Sequence, residues 1–191
     1  MVIGTDKIVD AYPIIASFFH RHIESTSLAV DDVAEIAGMA AEVASNAILS
    51  EKKLFSIGLG ADAASAIMLA SLLQNGILRE RPSLPVLELA EYRMDSTQTG
   101  ISWVSQQLQA LGQSGDVGII FAANLSESEI ERIQVITEQR QITPVWFGKG
   151  GHGLSLITVD DSVESRLTLN HAIAICLARL IETNTFGPVE D

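Results

Sequence analysis

Two short stretches of this chain stand where backbone geometry could do chemistry, and the first is Gly58-Leu59-Gly60-Ala61-Asp62. It follows the apolar run LFSIG and precedes an alanine- and leucine-rich run, the pattern of a buried strand turning into a helix. Glycines at such a turn free the backbone, and amides at a helix start suit an anion. Yet the turn carries no hydroxyl, lysine or histidine, and it places Asp62 at the helix start, where a carboxylate can cap the helix itself. The second stretch is Ala122-Ala123-Asn124-Leu125-Ser126-Glu127, after the run VGIIF. Ser126 with Glu129 fits the S-x-x-E capping box, so this loop can complete its own helix. GKGGHG, residues 148–153, offers Lys149 and His152 among glycines but lacks P-loop spacing and a following helix, and reads as a flexible strand connection. The single cysteine, Cys176, has no disulfide partner within the chain and lies in an apolar helical pattern, which predicts core packing.

The elements that must position these loops follow from periodicity. Helical patterns span roughly residues 5–25 and 30–49; Pro13 should kink the first or shift its start. The second has Asp31 and Asp32 in its first turn and a small face of Ala37, Ala40, Ala41 and Ala44. This pair is expected to pack against another subunit. From Lys53 onward, strand runs LFSIG, PVLELA, VGIIFAA, TPVWFG and LSLITV alternate with helices near 62–76, 95–112 and 126–140, before a last helix near 162–184 opened by Asp160 and Asp161. Short, continuously apolar strands alternating with helices predict an α/β chain with a five-stranded parallel sheet in flavodoxin-like order. Ligands in such sheets sit beyond the carboxyl ends of the strands where the winding reverses, which selects the loops 58–62 and 122–128.

Composition bounds the function. The chain of 191 residues, 47% apolar and 19% charged, suits one domain: a helix pair over 1–50 and an α/β core over 51–191. A net charge of −12 disfavours direct nucleic-acid binding and anionic membranes. Asp6, Lys7 and Asp10 interrupt any secretory signal, and no apolar run is long enough to span a membrane, so a cytoplasmic location is expected.

The stretches LFSIGLGADAASAIMLASLLQNGILRERPSLPV, LQALGQSGDVGIIFAA and SRLTLNHAIAICLARLIE resemble the SIS domain of the phosphoheptose isomerases and of their non-enzymatic relatives, the DnaA initiator-associating proteins (DiaA). ERPSLP (80–85), ALGQSGDV (110–117) and LIETNTFGPVED (180–191) look closest to the second branch. The resemblance implies a flavodoxin-like αβα sandwich, a homotetramer with the N-terminal helices in its core, and a sugar-phosphate cleft that is catalytic in one branch only. In the isomerases the first loop reads Gly-Asn-Gly-Gly-Ser, so Leu59 and Asp62 replace the asparagine and serine. The family's zinc-binding histidine and catalytic glutamate correspond to Met68 and Leu72, and the glutamine and histidine of its last helix to Thr168 and Cys176. Met68 and Leu72 are unsuited to that work. Cys176 with Thr168 alone would leave a zinc ion short of ligands. His171, off that register, is expected to serve packing or an interface.

The second loop, Ser-Thr-Ser-Gly-Asn-Ser in the isomerases, has lost three hydroxyls here, and a phosphate near Asp62 would meet a repulsion on the order of a few kcal/mol. These departures predict no metal, no cofactor and no enzyme. The leading expectation is a regulator that binds a DnaA-like initiator, with Phe186 and Thr185 at the end of the last helix standing where the family has a Leu-Phe pair. Phe186 could equally tuck back onto the helix. The alternatives are a module that binds a small sugar or sugar phosphate through the degenerate cleft, and a phosphoheptose isomerase.

Overall fold

The computed structural model describes residues 10–91, 97–157 and 162–189. Helices α1 (Ala11–Leu28) and α2 (Val30–Leu49) come first. Then follow β1 (Leu54–Leu59), a single 3-10 turn (Gly60–Asp62), α3 (Ala63–Asn75), β2 (Val86–Glu91), α4 (Thr97–Leu111), β3 (Val117–Phe121), α5 (Glu127–Arg140), β4 (Thr143–Gly148), β5 (Leu154–Ile157) and α6 (Val163–Phe186).

The strands form one sheet in the order β2-β1-β3-β4-β5, and every pair is parallel. This is the doubly wound order expected from the alternation. β1 and β3 are buried along their whole length, because helices cover both faces and no residue of either strand meets water. On one face α2, α3 and α6 enclose Leu69, Leu73, Phe121, Phe147, Ile173 and Leu177. On the other, α4 and α5 pack Ile101, Val104, Leu108, Ile130 and Ile133 against Phe55, Ile57 and Trp146. The chain winds one way from β1 to β2 and the other way from β3 onward. In sheets of this order the crevice that takes ligands lies beyond the carboxyl ends of the strands at that reversal, here β1 and β3.

Two features of the N-terminal helices are now defined. Asp10 caps α1 by accepting the Tyr12 amide at 3.1 Å, so Pro13 falls in the first turn, where a missing amide costs nothing. Proline thus accompanies the helix start rather than a kink; residues 5–9 lie outside the described segments. The alanine face of α2 is buried within this chain, against α6 and the sheet. It is α1 that stays bare: Tyr12, Ile14, Ile15, Phe18, Phe19 and Ile23 are exposed, and His22 is its one buried residue among those described.

Helix α6 corrects the reading of Cys176, which is exposed. Its buried rows run through Leu169, Ile173, Leu177 and Ile181 and through Asn170, Ala174 and Ala178, and residue 176 is turned away from both. Ser162 opens the helix by accepting the Ser165 amide at 3.4 Å, while Asp160 and Asp161 lie outside the described residues. No helix among the described residues is long and apolar enough to cross a membrane.

Candidate functional site

The two loops singled out from the sequence meet at the carboxyl edge of the sheet. Gly58 closes β1 where the chain turns so sharply that a Cβ would sit 2.4 Å from the Asp62 carbonyl oxygen. Gly60 has φ +60°, a conformation that other residues adopt only with strain. Leu59 is buried among the residues packed under α4, and Ala61 is half-buried. The pair of glycines is thus set by backbone geometry. Gly58→Ala is expected to lower stability by about 2 kcal/mol or more, read as a shift of the urea midpoint, because the backbone at Asp62 must move.

Asp62 does something the local sequence did not disclose. It stands at the N-cap position of α3, yet its side chain makes no hydrogen bond to that helix. The carboxylate crosses instead to the loop after β3. There it accepts the Asn124 amide at 2.9 Å, with the Ala123 amide near enough to favour its charged form. Its other oxygen accepts Asn170 Nδ2 from α6 at 3.3 Å. Asp62 is wholly buried. Burial pushes its carboxyl above the ordinary aspartate value, while the two amides, the Asn170 side chain and the Arg166 guanidinium pull it back.

Around this carboxylate the second loop is well built. Ala122 and Ala123 are buried and Asn124 is exposed. The capping box forms as expected, with Ser126 Oγ accepting the Glu129 amide at 3.4 Å and Glu129 Oε2 accepting the Ser126 amide at 2.8 Å. The glycine-rich connection 148–153 is tied down: Lys149 Nζ donates to the Leu125 carbonyl at 2.8 Å, and the His152 carbonyl accepts Trp146 Nε1 at 3.2 Å. Sequence reasoning missed Lys149, Arg166 and Asn170 as neighbours of the cleft. For Asn170 a signal existed, since an amide falls on an otherwise apolar helix face.

His171 lies beside the same junction, its Nδ1 at 3.0 Å from Ser65 Oγ of α3. A packing role fits this contact. The positions matched to a zinc site do not converge on metal chemistry. Met68 and Leu72 pack against the core, Thr168 Oγ1 donates to the Glu164 carbonyl, and Cys176 is exposed. Among the described residues no three His, Cys, Asp or Glu side chains are grouped to hold a metal. This donor set does not suit zinc.

At the far end of α6, Thr185 spends its hydroxyl on the Ile181 carbonyl at 2.7 Å. Phe186 is 37% exposed, with one face 5.5 Å from the Arg81 guanidinium. It neither tucks fully onto the helix nor stands free.

No family model matches the chain. The phosphoheptose isomerase of Methylococcus capsulatus is 26% identical over 188 residues, covering 91% of this chain and 96% of that protein. The phosphoheptose isomerase of Chromohalobacter salexigens is 28% identical, covering 92% and 97%. The chain is similar to the phosphoheptose isomerases over nine-tenths of its length. The fold agrees: the structure of a phosphoheptose isomerase from Francisella tularensis superposes with a TM-score of 0.78 at 19% identity, covering 92% of this chain and all of that one. The enzyme from Neisseria gonorrhoeae gives 0.76 at 17% identity, covering 90% and 98%.

These findings overturn the expectation that the chain is not an enzyme. That expectation weighed four substituted positions, whereas the proteins matched along nine-tenths of the chain are named as isomerases. Nothing in the comparisons singles out the initiator-associating branch.

Proposed function

We propose that this phosphoheptose isomerase relative binds a sugar or sugar derivative in the crevice beyond β1 and β3 and acts on it as an isomerase-type protein. The observation that carries this reading is the convergence of the 58–62 turn, the 122–126 loop and the start of α6 on one polar centre, Asp62, at the winding reversal of the sheet. The kinship with sugar-phosphate isomerases supports the chemical class of ligand. His171, half-buried beside Ser65 of α3, is a group at hand to move protons there.

Thermal denaturation with a panel of sugars, amino sugars and sugar phosphates tests the binding, alongside an aldose–ketose conversion assay on the same panel. At least one member should raise Tm saturably. A ligand at a hundredfold excess over its Kd adds about 2.7 kcal/mol, each worth roughly 2–4 °C for a chain of this size. A flat response across the panel, with no conversion, would sink the proposal.

A second reading rests on the two ends of the chain. Phe186, exposed and backed by Arg81, supports a docking anchor for a DnaA-like initiator, and the bare apolar face of α1 supports self-association as a homotetramer. Purified initiator should be retained by the wild type and released by Phe186→Ala, and light scattering should give four times the chain mass. Failure of the wild type to retain the initiator rules out that partner.

A further inference from the structure

We propose that the cavity between the α1–α2 elbow, the end of β5 and the first turns of α6 binds a small monocarboxylate with an apolar body, at a site separate from the crevice beyond β1 and β3. β5 is an edge strand, two places from β3 in the sheet. The cavity of about 460 Å³ lies within the size range of small-molecule sites.

Its walls grade from a buried floor to an open rim. Leu156 and Leu169 are 4% and 5% exposed, whereas Leu28 and Ile157 at the mouth are 79% and 68% exposed. Large aliphatic side chains left in water beside a cavity gain from being covered by an apolar body. A sugar, hydroxylated on every side, gains little from them.

The floor also carries two polar atoms without a partner. Ser165 is 3% exposed, yet its Oγ makes no hydrogen bond, and the buried Nε of neighbouring Arg166 makes none either. The cap of α6 does not use that hydroxyl, because it is the Ser165 amide that donates to Ser162 Oγ. An arginine Nε can only donate, so the group that satisfies it is an acceptor, and a serine hydroxyl can donate to the same group. A carboxylate brings two acceptor oxygens, one for each donor, and charge-assisted bonds of this kind are the stronger ones. Both donors sit in the first turns of a 24-residue helix, whose amino end favours negative charge.

The charges around the cavity limit that anion to one unit. Arg21 and Arg166 line it together with Glu24 and Asp32, two positive charges against two negative, and none of the four belongs to an ion pair among the described residues. A monoanion is drawn by the donors at the floor. A dianion adds a second charge that meets Glu24, Asp32 and the net −12 of the chain with no further donor to hold it.

Calorimetric titration of the full chain with hexanoate and 3-phenylpropionate, against the corresponding amides and phenyl phosphate, tests the assignment. The carboxylates should saturate one site per chain, and the amides and phenyl phosphate should bind about tenfold or more weakly. Ser165→Ala and Arg166→Gln should each weaken the carboxylates about tenfold, with far-UV circular dichroism to establish folding. An amide chemical-shift map of the wild type with 3-phenylpropionate locates the site without any substitution, and its changes should gather at Ala29, Ile157, Ser165 and Leu169. Absence of saturable binding, equal binding of the amides or phenyl phosphate, folded variants that bind as the wild type does, or a map confined to residues 58–62 and 122–126 overturns the proposal.

Discussion

Replacing Glu182 by alanine is expected to cost about 3–5 kcal/mol, the range for removing one partner of a buried charge pair. Glu182 is fully buried on α6, and its two oxygens accept the successive amides of Ile77, Leu78 and Arg79 at 2.9, 3.0 and 3.1 Å. Arg81 Nε adds a fourth donor at 2.9 Å, while its own Nη1 holds the Leu73 carbonyl at 2.8 Å. One carboxylate thus fastens the segment between α3 and β2 to the last helix. Without it three amides and a nearly buried guanidinium lose their acceptor, and the urea midpoint should fall accordingly.

The same residue sets an acid limit. Burial alone would raise the Glu182 carboxyl, but the Ile77 amide, Arg81 and the Leu78 amide outweigh it and hold the group below its ordinary value. Its stabilisation is therefore complete above the unfolded glutamate value, about 4.3, and is lost as pH falls from there through the lowered folded value. Asp62 has the opposite sign: raised by burial, it gains stability as it protonates on the way down to the unfolded aspartate value. Glu182→Gln should consequently flatten the acid side of the stability profile. A profile as steep as that of the wild type would show that other carboxylates set the limit.

Asp116→Ala is expected to cost about 2–4 kcal/mol while leaving ligand affinity unchanged. Asp116 is fully buried just before β3, at the amino edge of the sheet, opposite the crevice. It accepts the Lys53 and Gln113 amides at 3.1 and 2.8 Å and pairs with Lys53 Nζ at 2.6 Å. These bonds pin the starts of β1 and β3 together. A denaturation midpoint and a binding titration on the same variant separate the two ends of the sheet; a weakened titration would mean that the edges are coupled.

The strand order was legible because unbroken apolar runs such as VGIIF need cover on both faces, and helices between them leave few ways to supply it. Periodicity said less about where each face goes. Ala37, Ala40, Ala41 and Ala44 announced close packing, but nothing in their spacing tells an internal helix from a second subunit. Cys176 was misjudged because apolar neighbours on both sides outweighed its phase on the helix. At the site, the capping box of Ser126 and Glu129 was readable because its partners are three residues apart. The bond from Asp62 to Asn124 was not, since its partners lie 62 residues apart and local rules predict a cap instead. The substituted positions at 68, 72, 168 and 176 misled in another way, by standing for the whole chain when they are only four of its residues.

In the loop after β3 the donor that holds Asp62 is a main-chain amide, that of Asn124, and this has a consequence for how the junction can change over generations. Side-chain replacements at positions 122–124 leave that donor in place unless they introduce proline or distort the loop. The bridge between the two loops is then governed mainly by residue 62, and a single codon is enough to keep it or break it.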